Sequence, residues 1–119
     1  MNKFAALKAY WSGFGLPAYE ESTVPTNAVM PYITYEVATG SLNGSVPLSA
    51  SVWYRGTSWA PCMQKVTAIE PYIDRQVKID GGYLKVRRNE NNFAQPMSDP
   101  ADELIRRMRL SVEAEFLAY

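Results

Sequence analysis

The chain has 119 residues, 47% of them apolar, and its 12 basic residues are balanced by 12 acidic ones. That length and apolar share set up a single domain, 1–119, burying roughly two-thirds of its unfolded surface, and exclude a disordered or fibrous chain. Zero net charge argues against a dedicated nucleic-acid binder, and no histidine with one cysteine, Cys62, excludes a Ser-His-Asp triad, a Cys-His pair, an intramolecular disulfide and an imidazole or cysteine metal site.

Phe4, Leu7, Trp11 and Phe14 recur at helical spacing, so residues 2–13 read as a short amphipathic helix closed by Gly13, Gly15 and Pro17, with the aromatic stripe in the core. The N-terminus lacks the apolar run of a signal peptide and no segment is long enough to span a bilayer, so no membrane partner and a cytoplasmic origin are expected. Leu16–Pro31 holds three prolines and no period, which predicts a long surface loop. Tyr32–Thr39 and Val46–Arg55 read as strands, joined through Thr39–Ser45 with its Asn43-Gly44 as an antiparallel hairpin.

In the second of these strands Val46, Leu48, Ala50, Val52 and Tyr54 share one face, and Ser49, Ser51, Trp53 and Arg55 the other. A tryptophan among polar neighbours is either covered by a second layer of the protein or is an interface anchor, a role in which Trp and Arg are over-represented. Ser58–Val77 places Cys62, Val66, Ile69, Ile73 and Val77 at helical spacing, with Pro61 in the first turn and Pro71 interrupting near Glu70. Cys62 is then a small buried apolar residue rather than a reactive thiol. Lys78–Arg88 turns at Asp80-Gly81-Gly82 into a third strand, with Leu84 and Val86 inward and Tyr83, Lys85 and Arg87 outward. Asn89–Glu103 is a polar link in which Asp99-Pro100, followed by Asp102 and Glu103, has the signature of a helix start and predicts a single helical turn.

The last element is the clearest. From Met108 the chain alternates strictly, with Met108, Leu110, Val112, Ala114, Phe116 and Ala118 on one face and Arg107, Arg109, Ser111, Glu113 and Glu115 on the other. The predicted order is therefore α-β-β-α-β-β in the α/β (α+β) class, with four strands and two flanking helices. The charged face is basic at one end and acidic at the other, which suits head-to-tail association of identical copies. Glu113 and Glu115 could equally pair with Lys85 or Arg87 of the same chain. As catalytic carboxylates or magnesium ligands they are poorly placed, since they alternate with apolar residues on a solvated strand. The glycines show no phosphate-loop pattern. Aromatic content of 13% is more than one small core encloses, and aromatics beside arginine, as in Trp53-Tyr54-Arg55, suit a protein-protein surface.

Three segments carry a resemblance: Met30–Val37 (MPYITYEV) after an N-terminal helix and proline-rich loop, Gly81–Arg88 (GGYLKVRR) running into Asn92–Pro96 (NFAQP), and Asp99–Phe116 (DPADELIRRMRLSVEAEF). Together they resemble the small tail-terminator, or tail-completion, proteins of long-tailed bacteriophages and prophages, often labelled minor capsid or minor structural proteins. The resemblance spans nearly the whole chain, although its motifs are patterns of residue type. It implies a twisted, mostly antiparallel sheet flanked by helices and a hexameric ring in the virion, at the head-proximal end of the tail, assembled in the bacterial cytoplasm. Such a ring ends tube growth and meets the head connector, so the implied partners are further copies of the chain, the tail tube protein and a connector or neck protein. It implies no enzyme activity, no catalytic residues, no cofactor and no metal. The expected contact residues, inferred here from exposure and charge, are Trp53, Arg55, Arg107, Arg109, Glu113 and Glu115, with the 16–31 and 89–103 loops docking on the tube. Another head-tail connector protein is the alternative, and a small nucleic-acid-binding protein a more distant one.

Overall fold

Strict alternation at the C-terminus produces the longest strand of the fold. The computed structural model describes residues 3–37, 45–74, 76–79, 81–88 and 93–118. In chain order these form α1 (Lys3–Ser12), β1 (Ala18–Glu20), β2 (Tyr32–Tyr35), β3 (Ser45–Arg55), α2 (Ala60–Ile69), a 3-10 turn (Glu70–Tyr72), β4 (Gln76–Ile79), β5 (Gly82–Arg88), β6 (Ala94–Met97) and β7 (Ile105–Ala118). The class is α+β with two helices, as expected, but the four-stranded α-β-β-α-β-β arrangement is corrected to seven strands among the described residues. The order across the sheet is β1-β2-β3-β7-β5-β4, with β6 also on β7. Every pairing is antiparallel except β1 with β2.

The added strands are three or four residues long and fall where the sequence lacked period. β1 lies inside the proline-rich stretch expected to be loop, and β6 inside the polar link after Arg88. Pro96 is tolerated in β6 because that strand pairs only with β7. β4 takes Val77 out of the expected helix. Pro71 ends α-helical bonding at Ile69, the chain passes through the 3-10 turn, and Ile73 is already extended at ψ 153°. Val77 then faces Leu84 across the β4–β5 hairpin, whose turn carries Gly81 at φ +77°. The helical turn expected at Asp99-Pro100 does not form either. Asp99 and Asp102 accept from the backbone N–H of Ala101 and Leu104, closing two local turns instead. The connection expected from Asn43-Gly44 lies outside the described residues, but β2 and β3 are antiparallel partners as predicted.

β7 organises the sheet. On one side it pairs with β3 without interruption from Ser45↔Glu115 to Arg55↔Ile105. On the other it pairs first with β5 and then with β6. Between Arg88↔Val112 and Ala94↔Leu110 the β5–β6 course advances six residues while β7 retreats two, so these two strands form one broken partner with extra chain at the break.

Register puts Ile33, Val52 and Met108 in one row, Tyr35, Ala50 and Leu110 in the next, and Leu84 beside Phe116 further along. All of these are buried. Against that face α2 presses Cys62, Val66 and Ile69, and α1 presses Leu7, Tyr10 and Trp11. α1 touches both β1 and β4, the two ends of the strand order, so the sheet curls around it. Leu7 and Trp11 are core as predicted, whereas Phe4 remains 54% exposed and leaves the aromatic stripe only partly buried. Phe116 is fully buried at the long end of β7. Its replacement by alanine is expected to cost about 3–5 kcal/mol of unfolding free energy by urea denaturation, the usual cost of emptying a closed aromatic site.

Candidate functional site

Among the described residues, alternation leaves the second face of the sheet without a covering layer of helix. It carries Thr34, Ser49, Ser51 and Trp53 from β2 and β3, Arg107 to Glu115 from β7, and Lys85 and Arg87 from β5. The same period separates neighbours that look clustered in sequence. Arg106 turns to the helix side, where it lies over Trp59 at 5.6 Å and donates to the Glu103 and Thr57 carbonyls, while Arg107 takes the open face. Likewise Arg88 pairs with Glu70 at 2.9 Å, and Arg87 faces outward. The arginines are thereby divided between the two faces, and only Arg107 and Arg109 remain together on the open one.

Across the wide end of the open face runs an aromatic row. Tyr19 meets Tyr32 edge-on with ring centres 5.7 Å apart, Tyr32 meets Trp53 at 6.2 Å, and the Arg107 guanidinium lies 4.6 Å from the Trp53 ring centre. The Trp53 indole N–H donates to Thr34 Oγ1 at 2.8 Å, and Arg107 Nε donates to Ser51 Oγ at 2.9 Å. Among the described residues no second layer covers Trp53; a guanidinium does. Arg55 lies beyond this row and holds Asp102 at 3.1 Å. The Leu104 N–H, then the Arg55 guanidinium, keep that carboxyl below the usual aspartate range.

At the other end Glu115 accepts from Arg87 at 2.7 Å, so one of the two intrachain pairings open from sequence is made. Glu113 accepts only the Ser45 hydroxyl at 3.4 Å among the described residues, and Arg109 is exposed with no side-chain partner among them. Between these two charges Ser111 lies directly opposite Ser49, and their small side chains leave a shallow depression rimmed by Glu36, Pro47 and Arg109. Of the six predicted contact residues, then, Trp53, Arg55, Arg107 and Glu115 are engaged within the chain on the open face or its rim, whereas Glu113 has only the long Ser45 contact and Arg109 no side-chain partner among the described residues. The structure also adds Tyr32, Thr34 and Ser51, missed because nothing in their own segments fixes the register that brings them to Trp53 and Arg107.

A further depression, between α1 and the β1–β2 edge, is lined by Phe4, Lys8, Glu20 and Tyr35, among others. It contains no convergent pair of carboxylates. Among the described residues no three His, Cys, Asp or Glu side chains converge as metal ligands, and no helix is long and apolar enough to cross a membrane. No protein-family model, no curated protein and no solved structure matches this chain.

Cys62 is fully buried under β3, its Sγ 3.5 Å from the Val52 carbonyl, and burial pushes its thiol from 9.0 up to about 11. A folded-state pKa raised above the unfolded one favours folding below the unfolded value and loses that contribution as pH rises. Unfolding free energy should accordingly fall as pH climbs from about 9 to about 11, and fall less in Cys62→Ala, as read by urea titrations across that range. Thiol labelling at neutral pH should be slow in the native protein and fast in urea.

Proposed function

We propose that this chain is a bacteriophage structural subunit that caps the head-proximal end of the tail tube as a ring of identical copies, a hexamer on the family resemblance. The observation that supports this reading best is the uncovered, two-signed sheet face, with Arg107 and Arg109 toward one end and Glu113 and Glu115 toward the other. In a closed ring each copy offers its basic end to one neighbour and its acidic end to the next. Trp53 and Arg55 border the basic end. The proposed action is mechanical: the chain binds the finished tube through its 16–31 and 89–103 segments, the ring closes there, and growth stops. The tail tube protein and a connector or neck protein are then its partners, and the virion its destination, with assembly in the host cytoplasm.

Internal pairing refines which residues do this. Arg107 is spent on Trp53 and Ser51, and Glu115 on Arg87. Arg109 and Glu113 are the charges left for a neighbour. A head-tail connector role rests on the same face and differs in the partner contacted.

Deletion of the gene from its phage or prophage should give overlong or unjoined tails beside DNA-filled heads in negative-stain micrographs. Normal-length tails beside empty, leaking heads would move the protein to the connector, and intact particles would exclude both roles. Arg109→Glu should reproduce the deletion while circular dichroism and melting temperature stay as in the parent, because the Arg109 side chain has no partner among the described residues. Arg107→Glu is a poorer test, since it also removes the cover of Trp53.

A further inference from the structure

The outward side chains of β7 read Arg107, Arg109, Ser111, Glu113, Glu115. Their charges reverse sign about Ser111, position by position. When two such faces lie against each other with their β7 strands antiparallel, Arg109 of each copy meets Glu113 of the other and Arg107 meets Glu115. With the strands parallel, every charge would meet its own kind. We infer that two free copies of this chain pair face to face about a two-fold axis passing at Ser111.

The surroundings of that axis fit close approach. Ser49 and Ser111 lie side by side at the centre, and the shallow depression there lets the two sheets draw together. Along β3 the flanking outward positions, Ser45, Pro47 and Ser51, are uncharged, and the one carboxylate at the rim of the depression, Glu36, is held by the Ser49 N–H and hydroxyl, so the axis brings only this engaged carboxylate near its counterpart. Arg87, the nearest cation on the β5 side, is already neutralised by Glu115. The inner pairs carry the recognition, because Arg109 has no partner among the described residues and Glu113 only a long contact with Ser45.

This pairing occupies both charged ends of one copy with a single neighbour, whereas a ring gives each end to a different neighbour. Dimer and ring therefore exclude one another, and the dimer keeps free subunits from closing rings before a tube is present. That consequence rests on the ring reading; the dimer itself does not.

The test is sedimentation velocity combined with cross-linking of the full chain. The parent protein should sediment as a dimer at micromolar concentrations and dissociate as salt is raised. Ser111→Cys should give a covalent dimer with a short bis-maleimide, while the parent, whose Cys62 is buried, should not. Arg109→Glu and Glu113→Arg should each weaken self-association by at least about tenfold, since each replaces two attractive contacts with repulsive ones. Mixed in equal amounts, those two variants should form a 1:1 dimer, and the double variant R109E/E113R should regain the parent affinity. A monomeric parent, an Arg109→Glu variant as dimeric as the parent, or association without cross-linking at position 111 would each overturn the two-fold pairing. None of these outcomes bears on tail length in the deletion strain, so the dimer and the ring can fail separately.

Discussion

The register of β7 is the constraint on which the rest of the molecule depends. It is the longest strand among the described residues and has partners along both sides for most of its length, and its side chains alternate without exception from Met108 to Phe116. A slip by one residue would exchange Phe116, Ala114 and Leu110 for glutamates and arginine in the core. That penalty holds β3, β5 and β6 in place at once. It also fixes which charges appear on the other face, so the stability of the fold and the pattern of its surface follow from the same periodicity.

Curling the sheet around α1 has a second effect. Both helices are used on the concave side, where α1 bridges β1 and β4 and α2 covers β3 and β7. Nothing of comparable size remains in the described residues to cover the convex side. That side is protected by chemistry instead: Arg107 shields Trp53, Arg87 neutralises Glu115, and serines fill the middle. A strand face of this kind tolerates water yet offers a partner an aromatic row and a pair of unsatisfied charges.

How much of this was legible in the sequence varied with element length. β7 and β3, at fourteen and eleven residues, carry enough alternation to be read directly, and α2 was bounded by Pro61 at its start and Pro71 just past its end. The burial of Cys62 followed from its place on that helix. β1, β4 and β6 were missed because three or four residues contain no usable period, and they owe their conformation to the strand beside them. Val77 was misassigned for a specific reason: it fits the spacing of α2 and the alternation of β4 equally, and only Pro71 distinguishes the two. Asp99-Pro100 offered a genuine helix-start signal, but the same carboxylate serves a turn as readily. Within the candidate site, the sign change along β7 was visible, whereas the Arg87–Glu115 pair and the Arg107–Trp53 stack needed the register between strands.

The energy scale of the open face limits what it can do unaided. An exposed ion pair contributes about 0.2–1 kcal/mol, because water already solvates both charges well. Arg109 and Glu113 therefore select orientation more than they supply affinity. The affinity of any close contact must come from the less polar surface beside them, the Tyr32–Trp53 row and Pro47 among it. That surface is modest, and so self-association in solution should be weak and sensitive to salt. A weak contact repeated around a template is another matter, since each added copy is held by two neighbours and by the template, and the last copy closes both open ends together. On the reading proposed here, a subunit of this design gains by having a face that holds one partner only at micromolar strength and holds more firmly when several partners are already in place.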